Sequence, residues 1–195
     1  MNRLTNRRIR FALLLTVGLL AAGVAVSSAR AQEGAKAKTP SQLLLDQWND
    51  VSRKLIVMAE DFPEDKYDYK PTPAQRSFAE QLLHAAGSTY FFTNLANGQK
   101  PPAEEDPKRS DFKSKAEIVT FVKKCFADGA AAIKSRGDKG LTEWVSAPGG
   151  NGSTTKLQVG DLAYGFVEHS GEHYGQLVVY YRVAGLVPPE SRPKK

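Results

Sequence analysis

The last third of this 195-residue chain carries a long series of side chains spaced three or four residues apart. This spacing places them on one face of an α-helix, and most of them are apolar or aromatic. Gly185 and the pair Pro188 and Pro189 follow the series, and such residues end a helix and prevent its restart. The sequence therefore predicts a long amphipathic helix whose buried face comprises Leu162, Phe166, His169, His173, Leu177, Tyr180 and Ala184.

Three further segments show the same periodicity, and loops rich in proline and glycine separate them. The first begins at Thr39 and ends before Pro63, and the second runs from Ser77 to Asn97. The third runs from Ser114 to Gly137, and residues 138–155 are expected to form a long loop. Since no convincing pair of strands competes, the predicted fold is all-α, an up-down four-helix bundle.

The N-terminus has the three parts of a secretory signal peptide. A basic stretch is followed by an apolar run at 11–26 and by the small residues Ala29 and Ala31, which flank Arg30 as a cleavage site requires. The apolar run is shorter than the roughly 20 residues that a spanning helix needs, so we expect cleavage and no lasting membrane anchor. The sequence thus predicts a signal peptide at 1–31, a linker at 32–38, a bundle at 39–192, and a periplasmic or secreted product.

Charge and cysteine content exclude several classes of protein. Residues 1–31 contain five arginines and no acidic residue, which leaves 22 basic and 21 acidic side chains in the remainder. The overall charge of +6 therefore gives no support for nucleic-acid binding. A single cysteine, Cys125, excludes a disulfide framework or a Cys-rich metal site, and its place on the third apolar stripe indicates a buried, unreactive side chain.

The chain has only three histidines, and their positions suggest a metal site. His169 and His173 lie four residues apart on the last helix, so both rings project from its buried face. His84 lies in the second helix, where Gly87 and Ser88 leave space beside its ring. Three neutral imidazoles from facing helices can hold a divalent cation with one position open. Spacing alone leaves another interpretation open, in which the histidines are hydrogen-bonded core residues.

The segment from Glu168 to Leu177, followed by Tyr181-Arg182, Gly185 and two prolines, resembles the last helix of the DinB/YfiT-like family of four-helix bundles. The resemblance covers about residues 40–192, and the sequence departs from the family pattern at Tyr174 and Gly171. It implies that the metal ligands are His84, His169 and His173, that the metal is zinc or nickel, and that one coordination position is open.

The resemblance also limits the function. Some relatives are metal-dependent transferases or isomerases that use a small thiol, and the same site would suit a hydrolase. The exported location argues against a cytosolic thiol. The alternative is a non-catalytic bundle that binds a metal, a small ligand or a partner. The sequence does not decide whether the protein is an enzyme, and it is compatible with a small-molecule substrate and a homodimer.

Four side chains near the candidate ligands have secondary roles in this interpretation. Glu168 and Glu172 point about 100° away from the ligand face, which favours a solvated position. Gln176 faces nearly the same way as His173, so it is expected to bond a ligand ring, a substrate or a neighbouring helix. Trp144 is expected either to cover the open coordination position or to anchor its loop.

Overall fold

A computed structural model describes residues 37–102, 106–148 and 153–193 of the chain. Within the compact unit Thr39–Lys195, it contains four helices and one short hairpin. The helices are α1 (Pro40–Asp61), α2 (Phe78–Ala96), α3 (Lys115–Leu141) and α4 (Val159–Val183), and the strands are β1 (Trp144–Pro148) and β2 (Thr154–Gln158). The prediction of an all-α four-helix bundle is confirmed. The predicted signal peptide lies outside the described residues and remains a prediction.

The helices surround the core in the order α1, α3, α2, α4. Each of α1 and α2 packs against both α3 and α4, while α3 and α4 touch each other less. Helices α1 and α2 therefore lie on one diagonal of the bundle and α3 and α4 on the other, whereas α2 and α3 are neighbours. This order brings α2 and α4, which carry the three histidines, side by side.

Side-chain caps explain where α1 and α2 begin. The Thr39 hydroxyl accepts a hydrogen bond from the Gln42 backbone N–H, and the Gln42 side chain accepts one from Thr39 N–H. Ser77 and Glu80 form the same reciprocal pair at the start of α2. Each pair satisfies two backbone donors that have no partner inside the helix, so the predicted starts are confirmed.

Helix α3 is capped by Ser114, where the sequence predicts its start, but it ends later than predicted. Ser114 accepts from the Glu117 N–H as expected, but the Glu117 carboxylate accepts from the Lys113 N–H instead of completing a capping box. Gly137 has a positive φ of 57°, which interrupts the helix, and helical structure then resumes as far as Leu141. The helix therefore extends four residues beyond the predicted end.

The prediction of a long loop at 138–155 is wrong, because β1 and β2 form an antiparallel pair in which Trp144 lies opposite Gln158. The sequence does not reveal the pair, because its strands have only five residues each and the apolar Trp144 lies on the exposed side of β1, so apolar and polar residues do not alternate along it. Ala147 is the only fully buried side chain among the strand residues, and it packs with Leu95 and Leu162.

Aromatic stacking fixes α4 against the other helices. The rings of Trp48 and Phe166 stack with centroids 3.7 Å apart, and the Trp48 indole N–H donates to the Phe126 carbonyl at 3.0 Å. Gly129 on α3 lies directly against the Trp48 ring. Because Phe166 is one turn before His169, this contact sets the height and rotation of the helix that carries two of the histidines.

Among the described residues, no helix is both long enough and apolar enough to cross a membrane.

Replacing Gly129 with Ala should destabilise the bundle. A Cβ at this position would lie 1.8 Å from Trp48 Cζ2, so the indole, which stacks on Phe166 and donates to the Phe126 carbonyl, would have to shift. We expect Gly129→Ala to lower the free energy of unfolding by about 1–3 kcal/mol in urea titrations. Gly171→Ala is the matched control, since its Cβ meets nothing within 4 Å, and it should stabilise by up to about 1 kcal/mol. Equal stability of the two variants would contradict this packing.

Candidate metal centre

The three histidines meet between α2 and α4. One ring nitrogen from each histidine can be chosen so that the three nitrogens all lie within 4.8 Å of one another. The centroids of the His169 and His173 rings are 4.3 Å apart, and the His84 ring lies 4.6 Å from that of His173 and 5.2 Å from that of His169. The Nε2 atoms of His169 and His173 are separated by 3.1 Å. The structure therefore brings together all three side chains that the sequence analysis singled out.

Asp106 orients the ring of His84. This carboxylate lies in the connection between α2 and α3, and its Oδ1 contacts Nδ1 of His84 at hydrogen-bonding distance. Its other oxygen accepts a hydrogen bond from the Arg76 guanidinium at 3.2 Å. A proton on Nδ1 donated to the carboxylate leaves the lone pair of Nε2 available, which is the usual arrangement of a metal-binding histidine.

Two glutamines surround the other face of His173. The amide nitrogen of buried Gln81 contacts both Nδ1 of His173 and Oε1 of Gln176, and Nδ1 lies 3.3 Å from the same Oε1. In the tautomer that carries its proton on Nδ1, His173 donates this proton to Gln176 and presents an unprotonated Nε2 to His169. The Gln81 amide nitrogen is itself a donor, so in this tautomer its hydrogen bond goes to Gln176 and not to Nδ1. Gln176 thus makes both of the contacts expected of it, to a ligand ring and to a neighbouring helix.

Burial keeps the imidazoles of His169 and His173 neutral. Desolvation, followed by the nearby His169 and His84, lowers the pKa of His173 to about 4. Desolvation and the charge of His84 also lower the pKa of His169, and Arg76 acts in the same direction on both rings. Both side chains are therefore unprotonated at neutral pH, the state in which an imidazole binds a metal.

This donor set fits a divalent transition metal. Zn–N bonds of about 2.0–2.1 Å in a tetrahedral site place two nitrogens about 3.3 Å apart. The 3.1 Å separation of the Nε2 atoms of His169 and His173 is close to this value. The same distance also fits a hydrogen bond between the two rings when one of these nitrogens carries a proton. Imidazole ligands suit zinc and nickel. His84, His169 and His173 would therefore hold the cation, supported by Asp106, Gln81 and Gln176.

A cavity of about 180 Å³ opens beside the cluster. His84 and His169 line it together with Asp106, and Ser88, Phe91 and Phe92 complete the wall. Ser88 is thus next to the His84 ring, as the sequence analysis expected. A site that faces a cavity leaves room for a water or substrate in the fourth coordination position, whereas a structural metal site is closed.

Other candidates from the sequence lie away from this cavity. Trp144 is 64% exposed on β1 and is not among the described residues that line the cavity, so its proposed role as a cover has no support. Glu168 and Glu172 are exposed, as predicted. Cys125 is fully buried, and burial raises the pKa of its thiol to about 12, so it is unreactive at neutral pH.

Asp106 and Gln81 are not among the site residues predicted from the sequence. Gln81 precedes His84 by three residues, so it lies on the same face of α2, and a glutamine among leucines and alanines is a detectable signal there. Asp106 comes from a loop, where no periodicity indicates which way a side chain points. Its role could not be found from the sequence.

The fold and the site define a four-helix bundle with a three-histidine candidate cation site at the edge of a cavity. The sequence profile of the DinB superfamily matches residues 47–177, and the chain belongs to this superfamily. No curated protein matches the chain.

Solved structures of DinB-like proteins share this fold. YjoA from Bacillus subtilis is 20% identical, with 78% of this chain and 99% of YjoA covered and a TM-score of 0.61. A DinB-like protein from Bacillus cereus is 18% identical, with 75% of this chain and 93% of that protein covered and a TM-score of 0.62. YfiT from Bacillus subtilis is 14% identical, with 78% of this chain and 92% of YfiT covered and a TM-score of 0.59. It is described as a probable metal-dependent hydrolase with an unusual four-helix bundle topology.

The low pKa of His173 predicts a stability that depends on pH in the metal-free protein. Between pH 6.5 and about 4 the unfolded chain binds a proton at this residue and the folded chain does not. The free energy of unfolding should therefore fall as the pH is lowered through this window. We expect a smaller slope for His173→Gln in chemical denaturation measured at several pH values with a chelator present. Identical slopes would show that His173 is protonated equally in both states.

Proposed function

We propose that this chain is a metal-dependent hydrolase that holds one divalent cation, zinc or nickel, through His84, His169 and His173. The observation that carries the proposal is the convergence of three imidazole nitrogens within 4.8 Å at the wall of an accessible cavity. YfiT, which has the same fold, is described as a probable metal-dependent hydrolase, and this description supports the proposal.

The side chains around the cavity have distinct tasks in this proposal. A bound divalent cation supplies Lewis-acid chemistry that makes water a nucleophile near neutral pH. His84 and His169 contribute both ligands and cavity wall, while Asp106 keeps the proton of His84 on Nδ1. The rings of Phe91 and Phe92 exclude bulk water on one side, which strengthens electrostatic interactions in the cavity.

Thiol transfer, which the resemblance to the family implies, would use the same three ligands. The non-catalytic alternative requires that the cation be held without turnover. The accessible cavity favours catalysis over a purely structural ion, since a closed site would satisfy that role.

Metal content tests the ligand set. Protein comprising residues 32–195, which contains the whole compact unit, would be purified without a histidine tag and analysed by mass spectrometry for zinc and nickel. We expect close to one equivalent in the wild type and a loss of about tenfold or more in His173→Ala. Cys125→Ala, which removes the chain's only thiol, is the control and should retain the metal. A metal-free wild type that takes up neither ion would overturn the proposal.

Turnover tests the reaction. The metal-loaded protein would be assayed with chromogenic esters, amides and phosphodiesters, and separately for addition of small thiols to an electrophile. We expect hydrolysis that a chelator abolishes and added metal restores, and that is absent in His173→Ala. Thiol transfer without hydrolysis would overturn the hydrolase assignment. Full metal occupancy with neither activity would favour the binding bundle.

We further propose that the protein is exported and that cleavage follows Ala31. The proposal rests on the basic, apolar and small-residue segments of 1–31. Expression of the full chain in a bacterial host, followed by fractionation and intact-mass measurement, tests it. The expected product starts at Gln32 and lies in the periplasm or medium, whereas a cytoplasmic product that retains residues 1–31 would refute it.

A further inference from the structure

The side of α4 that faces away from the bundle is a continuous exposed surface, which we call the outer α4 face. Its residues project within an arc of about 80°, because successive residues of an α-helix are rotated by about 100°. They are Tyr164, Glu168, Gly171, Gly175, Val179 and Arg182. All six are exposed, and they point away from the side of α4 that carries His169 and His173.

Two glycines make a depression in the middle of this face. A Cβ added at Gly171 or at Gly175 would meet nothing within 4 Å, and neither residue has a positive φ. Neither packing within the chain nor backbone geometry therefore requires glycine, although glycine destabilises the interior of a helix relative to alanine. Glycines four residues apart on one helix do allow the backbone of a second helix to approach closely.

Large apolar side chains lie on both sides of the depression. Tyr164 precedes it, Val179 and Val183 follow it, and all three are largely exposed. A single exposed apolar residue is ordinary on a protein surface, but these three lie on the same side of one helix. A partner that covered the outer α4 face would remove them from water.

The two ends of the outer α4 face carry opposite charges. Glu168 lies seven residues before Gly175, and Arg182 lies seven residues after it. The two charged residues are about 21 Å apart along the helix, too far to pair with each other. Within the described part of the chain, neither side chain has a hydrogen bond or an ion pair. Each end therefore presents a free charge to a partner of opposite sign.

A second copy of the chain has complementary features in one orientation. If a two-fold axis passes through Gly175 perpendicular to α4, the two helices are antiparallel and Glu168 lies opposite Arg182 of the second copy. Val179 then lies opposite Gly171 of the second copy, so an apolar side chain meets a depression. Each contact occurs twice, because a two-fold interface is self-complementary. Parallel helices would instead place like charges opposite each other, and these repel.

We propose that the outer α4 face binds a second copy of this chain in an antiparallel homodimer centred on Gly175. The sequence is compatible with a homodimer, and these residues define its surface and its orientation. The face is about 27 Å long, which is small for a permanent interface, so the dimer is a weak one with a dissociation constant in the micromolar range. No proposed metal ligand belongs to the face, so this proposal is independent of the proposed function.

Reversal of single charges tests the proposal in sedimentation measurements on the 32–195 protein over a range of concentrations. Glu168→Arg or Arg182→Glu alone places like charges opposite each other at both ends of the interface. Each should raise the dissociation constant at least about tenfold. The double variant exchanges the two charges and restores both pairs, so its constant should return to within about threefold of the wild type.

Lys134→Glu is the matched control for charge reversal. Lys134 is exposed on α3, which lies diagonally across the bundle from α4. The variant has the same net charge as Arg182→Glu but leaves the outer α4 face intact. It should change the dissociation constant less than about twofold.

Gly175→Gln separates a blocked interface from a misfolded chain. A long side chain on the two-fold axis would keep the two helices apart, so the variant should stay monomeric at every concentration at which the wild type dimerises. Because its Cβ meets nothing and glutamine is the better helix former, the urea midpoint should not fall below that of the wild type. The midpoints are compared at protein concentrations below the dissociation constant, where both proteins are monomers.

Four results would overturn the proposal. The wild type would stay monomeric up to about 1 mM, or the double variant would dimerise as weakly as the single variants. Dimers that persist in Gly175→Gln would place the interface on another surface. Equal weakening by Lys134→Glu and Arg182→Glu would show a general effect of net charge.

Discussion

The contact between α2 and α4 that brings three imidazoles together is the constraint on which the rest of this structure depends. Buried polar rings are costly unless they have partners, and protonated rings so close together would repel each other. Asp106 supplies a partner for His84, and Gln176, which accepts a hydrogen bond from Gln81, supplies one for His173. The Nδ1 atoms of His84 and His173 are thereby occupied, and their Nε2 atoms are left to share a cation with His169.

The aromatic core serves this arrangement by holding α4 on both sides of its histidines. Phe166 stacks on Trp48 one turn before His169, and the Tyr181 hydroxyl donates to the Met58 carbonyl of α1 at 3.0 Å two turns after His173. A helix that is held at two points cannot rotate and carry His169 and His173 away from His84. The same helix also holds the segment before α2, because the Tyr180 hydroxyl donates to the Arg76 backbone carbonyl at 2.6 Å.

Local sequence signals predicted most of the fold and the ligand set. Spacings of three and four residues located the helices, and Thr39 and Ser77 marked two of their starts. The pair His169 and His173 followed from helical geometry, whereas the meeting with His84 required the resemblance to a known family. The hairpin, the order of the helices around the core and the role of Asp106 depend on contacts between different segments. No periodicity within one segment encodes such contacts.

X-ray absorption spectroscopy of the metal-loaded protein tests the central claim most directly, because it reads the identity and distance of the atoms around the ion. The account predicts three imidazole nitrogens with one further light atom at about 2.0–2.1 Å, and no sulfur. A sulfur shell, or fewer than three imidazoles in a protein with one bound ion, would contradict the assignment of His84, His169 and His173 as the ligands.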